Sequence, residues 1–339
     1  GEVGVYHVWT RCVRRAFLCG ADPYTGQDYN YRRDWICSFE QRLAALFGIE
    51  IGFHAELSNH LHLIVRARPD VVETWSDEEV VRKMKAIYRL IKSEDGQTIS
   101  ELTDRELVVE LSDPENVATL RKRLSSVSIF MQALCEHVGR RGNREDGSSG
   151  HFWEDRFKAR DLEDESAVLV CGIYIDLKQI RAGEALKPEE SPHTSAYDRI
   201  EARNARAAGK ASDGMPADGW LCELTLDERS EAYAGPARSR TPWRASDKGL
   251  LPITLHDYLE LLDWTGRTVR EGKGGAIPAE LAPILDRLKI NQDLWTHLVA
   301  KFDTLFGRLV EKAAQVVDRA KEAGRHRNRG RAGCQTAFG

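Results

Sequence analysis

Residues 49–66 constrain the fold more than any other stretch of this 339-residue chain. Two runs rich in β-branched and apolar residues, Ile49–Leu57 and Leu61–Arg66, flank Ser58 and Asn59, a pair suited to a tight turn. Upstream, residues 3–18 (VGVYHVWTRCVRRAFL) mix β-branched and aromatic residues and predict a further strand, closed by the turn-rich GADPYTGQ. Between them, Trp35, Ile36, Phe39, Leu43, Leu46 and Phe47 recur at helical spacing and predict a helix over 30–48. Strand, helix, strand, strand is the opening of an α+β domain.

Downstream the pattern turns helical. Helices are predicted over 77–92 and 116–138, the second entered through Asp113 and Pro114. A Gly/Ser/Asn-rich loop is predicted over 139–150, and a further helix from Glu165 to about Ile180, stopping before Gly183. Residues 201–219 are rich in Ala, Gly and Asp and read as a linker or mobile loop. From about Ile253 to Lys321 the chain holds three or four amphipathic helical patterns and no convincing strand. The expected division is a first domain over 1–200, a linker region over 201–250, a mostly α-helical C-terminal extension over 251–322, and a basic disordered tail over 323–339.

Charge is spread unevenly. The formal net charge of −4 argues against a polyanion-coating protein. Between Arg121 and Arg160, however, nine Lys and Arg stand against five carboxylates, and the tail ends in Arg325, Arg327, Arg329 and Arg331. Two local surfaces thus suit a polyanion. No stretch approaches the ~18 uninterrupted apolar residues of a spanning helix, and the first residues lack the apolar run of a signal peptide. Seven scattered cysteines, none spaced as CxxC, suggest free thiols in a reducing compartment rather than a disulfide framework or a structural zinc site. The expected location is cytoplasmic.

Three places could carry chemistry. On a strand, His60 and His62 project to one face while Leu61, Leu63 and Val65 point to the other, so the two imidazoles form a half-site for a divalent metal or a partly buried polar stripe. His54, on the preceding strand, reads as structural. In the apolar helix around Tyr174, Lys178 follows one turn later on the same face and Arg181 two turns later. Tyr174 is either a core residue with a satisfied hydroxyl or a phenol whose anion is favoured beside a phosphate site. Finally, residues 151–158 (HFWEDRFK) interleave Phe152, Trp153 and Phe157 with Arg156 and Lys158. They either stack on unpaired bases and neutralise phosphates, or pin a loop into the core through Trp153 and Phe157.

The order of these motifs resembles the HUH-type single-tyrosine transposases, and among them the REP-associated tyrosine transposase branch. The matching segments are VYHVWTR (5–11), LSNHLHLI (57–64), VSIFMQ (127–132), GHFWEDRF (150–157) and YIDLKQIRAG (174–183), within residues 3–200. The resemblance implies a ferredoxin-like antiparallel sheet with flanking helices, with His60 and His62 holding Mg²⁺ or Mn²⁺. It implies Tyr174 as nucleophile on a DNA phosphodiester, giving a 5′-phosphotyrosine and a free 3′-hydroxyl, with no small-molecule cofactor. The implied partner is single-stranded DNA, often beside a hairpin, gripped by Lys178, Arg181, Trp153, Arg156, Phe157, Lys158, Arg140 and Arg141. Homodimer and monomer both remain open. One position departs from the family: a polar metal ligand is usual one turn after the tyrosine, and Lys178 stands there. A protonated lysine has no lone pair to give a metal. Lys178 therefore either contacts phosphate, or marks a chain that has lost efficient cleavage and binds DNA only.

Overall fold

Strand β1 (Gly4–Arg11), helix α1 (Tyr31–Leu46) and strands β2 (Ile49–Glu56) and β3 (His60–Ala67) follow one another in the expected order. The structure is a computed structural model that describes residues 2–13, 18–22, 26–96, 101–210, 214–226, 238–271, 285–286, 290, 292–306 and 309–310. The tail expected over 323–339 lies outside the described residues. β1 stops at Arg11 instead of reaching 18, because the next two amides turn away to the carbonyls of Asn59 and Phe152, each at 3.0 Å.

Four strands form an antiparallel sheet in the order β2–β3–β1–β4, with β4 spanning Lys158–Leu162. A two-residue strand, β5 (Leu309–Val310), adds in parallel to β4. Both β4 and β5 lie where no strand was expected, β5 inside the stretch read as purely helical.

One face of the sheet is covered by α1, α3 (Asp77–Lys92) and α6 (Val127–Glu145), over a core that includes Val8, Phe39, Leu43, Leu63, Val65, Phe130 and Leu134. The short α2 (Pro69–Val72), α4 (Asp104–Leu111) and α5 (Pro114–Leu124) flank this layer. The helix expected over 116–138 is thus two. Ser125 ends α5, and the Ser126 hydroxyl accepts from the Ile129 amide to start α6, so adjacent hydroxyl residues break the run. Conversely, most of the loop expected over 139–150 is helix. Gly139 and Gly142 are there because the Phe152 ring packs on the α6 backbone; a Cβ at Gly142 would run into that ring. The chain leaves the helix only at Gly147 and Gly150, both with positive φ.

The other face is covered by α7 (Glu165–Asp176), α8 (Lys178–Ala182) and, past α9 (Ser195–Ala207), which lies against the edge strand β2, by α10 (Leu255–Glu271), α11 (Trp295–Ala300) and α12 (Phe302–Leu305). α9 begins inside the expected first domain and runs into the stretch read as a linker. α7 starts at Asp164, whose side chain accepts from the Ala167 amide at 2.8 Å, and every residue from Ser166 to Asp176 is buried. An all-round apolar helix needs cover on every side. The sheet residues Phe53 and Ile64 supply one side, and Tyr258, Leu262, Trp295 and Phe302 from the C-terminal part supply the other. Each fully buried side chain of this size contributes about 1.5–3 kcal/mol. No helix among the described residues is long and apolar enough to cross a membrane.

A bulge at Gly52 decides what each face of β2 carries. The register slips between Ile51 and Phe53, so Ile49 and Ile51 pack toward α1 while Phe53 and Ala55 pack toward α7. His54 and Glu56 thereby turn to the α1 side. Strict alternation would have sent them the other way.

Candidate active site

Two central strands and β4 present a row of polar and aromatic side chains to the α7 face. Trp9 pairs with His62 and with Lys158 across the sheet, His7 with Ile64 and with Arg160, and Arg11 with His60. Directly paired residues share a face. His60 and His62 do project together, their rings 4.9 Å apart and nearly perpendicular. His62 is buried with its Nδ1 2.9 Å from His7 Nε2, and its own Nε2 has no partner. The His60 Nδ1 lies 2.6 Å from the Asn59 side-chain oxygen, so that nitrogen carries the proton and Nε2 is left with a lone pair. Burial, then the cations Lys178 and Arg11, hold His60 down at about 4. Burial and Lys178 also keep His62 well below the usual imidazole range. Both rings are neutral at pH 7.

Tyr174 meets this row from α7. Its ring stands edge-on to His62 at 6.0 Å, with Lys178 Nζ 4.1 Å and the Arg181 guanidinium 5.6 Å from its centre. The helix breaks at Leu177, so α7 and α8 bring tyrosine and lysine onto one face as their spacing predicts. Gln179 points away and donates to the Pro192 carbonyl at 2.6 Å.

An unexpected participant closes the site. Asp303, on α12, accepts a short hydrogen bond from the Tyr174 hydroxyl, pairs with Arg160 at 3.0 Å and lies 3.6 Å from Lys178 Nζ. Phe302 beside it packs on Tyr174 at 5.0 Å. Burial and the Asp303 charge push the phenol well above its ordinary range, so Tyr174 is a neutral donor here. Burial raises the Asp303 carboxyl, but Lys178, the Tyr174 hydroxyl and Arg160 outweigh it and hold it below the carboxylate range. Burial lowers Lys178 to about 8, with Asp303 opposing and Arg181 reinforcing the shift.

Above these groups lies a cleft of about 270 Å³, bordered by Arg11, Arg156, Lys158, Lys178, His60 and His62 together with Glu154, Asp155 and Asp303. Tyr174 is not on its wall. Lys178 and Asp303 stand between the phenol and the opening.

No family profile matches the chain, and no curated protein matches it significantly. A solved structure described as a REP-associated tyrosine transposase bound to a REP hairpin is similar over 62% of this chain and 82% of that chain, at 10% identity and a TM-score of 0.33. Likeness at that level carries no argument.

Of the sequence-predicted residues, the fold gathers Tyr174, His60, His62, Lys178, Arg181, Arg156 and Lys158 around one place. Arg181 also donates to the Ala300 carbonyl at 2.8 Å. Four others stand elsewhere. Trp153 donates to the Cys135 carbonyl at 2.8 Å, and Phe157 packs half-buried on the α1-side core. Arg140 pairs with Glu136 on α6. Arg141 pairs with Glu145 and lies 4.4 Å over the Trp35 ring. Sequence reasoning missed His7 and Asp303. His7 alternates with Trp9 and Arg11 on β1 and was open to the period-2 argument used for His60 and His62. Asp303 lies 129 residues from its tyrosine, and nothing in the sequence links them.

One cluster stands apart. Among the described residues, the one set of three or more His, Cys, Asp or Glu whose ligand atoms lie close enough to share a metal ion is Cys37, Glu40, His54 and Glu56. It is on the α1 face, so His54 has more company than its reading as a structural residue implied.

Proposed function

We propose that this chain nicks single-stranded DNA and transfers the strand through a 5′-phosphotyrosine, with Tyr174 as nucleophile, on a ferredoxin-like sheet. The strand order β2–β3–β1–β4 supports that fold. The observation that carries the activity is Tyr174 set edge-on against His62, under Lys178, beneath a cleft rimmed by Arg11, Arg156 and Lys158.

The phenol oxygen gives up its proton to water and attacks the scissile phosphorus, forming the Tyr174–phosphate bond as the bond to the 3′ oxygen breaks; that oxygen takes a proton from water and leaves as a hydroxyl. Arg160 and Lys178 neutralise the phosphate oxygens, the role Lys178 takes in place of a metal ligand. Asp303 must leave first, because it accepts the hydrogen bond from the phenol and pairs with the same two cations. Strand arrival at Arg160 and Lys178 displaces the carboxylate, and the phenol loses the charge that, after burial, does most to keep it neutral. Arg156 and Lys158 grip the flanking backbone, whose bases are accessible when unpaired, as beside a hairpin.

For a divalent ion the fit is partial. Neutral imidazoles with an unpartnered Nε2 on buried His62 suit two ligand positions, while Lys178 stands where a third is expected. Mg²⁺ or Mn²⁺ held by His60 and His62 would supply polarisation of the phosphate.

Covalent trapping tests the proposal. The full chain is mixed with labelled hairpin-bearing single strands and Mg²⁺ or Mn²⁺ and run on a denaturing gel. The expected result is a denaturation-resistant adduct that Tyr174→Phe abolishes while DNA affinity stays within about twofold. An adduct that survives Tyr174→Phe would sink the assignment. Lys178 favours one rival, a DNA-binding protein without cleavage: no adduct from the parent on DNA it binds, but one from Lys178→Asn, would establish that instead.

A further inference from the structure

The face of the sheet opposite Tyr174 holds four buried acid and base groups that no part of the proposed reaction uses. Cys37 and Glu40 are one turn apart on α1, and His54 and Glu56 are alternate residues of β2, brought to the α1 side by the bulge at Gly52. Cys37 Sγ lies 3.1 Å from Glu56 Oε2, and His54 Nδ1 lies 3.1 Å from the same oxygen. The ligand atoms of all four residues fall within 4.8 Å of one another. A tetrahedral zinc with bonds of about 2.0–2.3 Å spaces its ligands roughly 3.3–3.8 Å apart, so a small inward movement closes the set.

Glu40 is the group that needs explaining. It is fully buried, neither carboxylate oxygen meets a donor among the described residues, and the hydrogen bond left to it, with the Glu56 carboxylate, requires Glu40 to carry a proton. A buried carboxyl group without a hydrogen-bond donor is costly. Its main charged neighbour is another carboxylate, Glu56, and burial followed by that charge pushes Glu40 well above its usual range. Burial, Glu56 and Glu40 do the same to the Cys37 thiol. Acids crowded into a dry site need either protons or a cation.

His54 is oriented toward the cluster. Burial lowers it, but Glu56 and Asp198 outweigh that and hold it well above the usual imidazole range. Without a metal the ring itself carries the positive charge, and a metal ion would take the place of its Nδ1 proton. Its Nε2 lies 3.2 Å from the Asp198 carboxylate on α9, which aims Nδ1 into the cluster. A carboxylate behind a histidine is the usual orienting partner of a metal-bound imidazole. The Trp220 ring, 4.8 Å away, packs against the imidazole.

We propose that Cys37, Glu40, His54 and Glu56 form a structural site for a borderline-soft divalent ion, zinc above all, that ties α1 to β2. One thiolate, one imidazole and two carboxylates suit zinc and disfavour Mg²⁺ or Ca²⁺, which take oxygen donors. All four ligands are buried, so the site is of the closed, structural kind, filled as the chain folds. It is separate from His60 and His62, which lie on the other face, and does not depend on the nuclease proposal.

The test uses untagged full-length protein made in zinc-supplemented medium. Elemental analysis is expected to find about one zinc per chain, and a strong chelator to lower the unfolding temperature. Protein refolded with Co²⁺ is expected to show a thiolate-to-cobalt charge-transfer band, lost in Cys37→Ser and kept in His62→Ala. Glu40→Gln, which keeps the size of the side chain, is expected to weaken metal binding tenfold or more and serves if Cys37→Ser does not fold. Zinc that is absent, or that survives both Cys37→Ser and Glu40→Gln, overturns the proposal. So does a Glu40→Gln protein at least as stable as the parent and indifferent to chelator, which would mean that Glu40 and Glu56 share a proton.

Discussion

Lys178 stands over the Tyr174 ring and within 3.6 Å of Asp303. Burial holds its ammonium at about 8, below its ordinary 10.5, against the pull of Asp303. The charge is present below that value and lost above it, so affinity for single-stranded DNA is expected to fall as pH rises through about 8. Lys178→Arg, which stays charged, should flatten that profile in a binding titration; a parent profile flat from pH 7 to 9 would remove Lys178 from the DNA contact. Folding carries the opposite sign. Between about 8 and 10.5 the unfolded chain binds the extra proton, so this residue's contribution to stability increases with pH across that window. Most of the residues gathered at the candidate site were legible because their spacing is local: His60 and His62 alternate on a strand, and Tyr174 and Lys178 lie one helical turn apart. His7 is 55 residues from His62 and Asp303 is 129 from Tyr174, and contacts at that range leave no periodic trace.

Elements are placed here by backbone contacts as much as by apolar pattern. α7 lies on β2 at Gly172, where a Cβ would come within 2.8 Å of the Phe53 ring. Gly172→Ala is therefore expected to destabilise the protein by about 1–3 kcal/mol through overpacking, although alanine is the better helix former. It should also lift Tyr174, two residues on, and reduce adduct yield at a temperature where the fold is intact. Equal or greater stability by chemical denaturation would mean that Phe53 swings aside. The same physics explains where element boundaries were misjudged. Gly139 and Gly142 read as a loop because glycine usually marks one, but they serve the approach of Phe152 to α6. The strands of the opening hairpin were plain in their apolar runs, yet the bulge at Gly52 is invisible to alternation. That bulge sends His54 and Glu56 to join Cys37 and Glu40, and so hides the cluster from any reading of β2 alone.

At the scale of the whole molecule, the C-terminal part shares its core with the sheet: Trp295 and Phe302 are fully buried beside α7 residues. Deleting it would expose that core, so its influence on the site is better probed by one atom's charge. Asp303→Asn is expected to raise both DNA affinity and the rate of adduct formation several-fold, measured in single turnover. Loss of the adduct would show that the carboxylate takes part in cleavage. Asp303 sits between Arg160 and Lys178 as an anion covalently part of the molecule it occupies. Such an internal competitor is never diluted away, and its hold depends on the packing of Phe302 rather than on how much protein is present. On the proposed function, incoming strands would bind with an apparent affinity scaled down by the fraction of molecules in which the carboxylate has left. Short oligonucleotides would meet that handicap in full, whereas longer ones that also reach Arg156 and Lys158 on the cleft rim would recover it from added contacts. The protein would in this way measure the length of what it binds before it exposes its nucleophile.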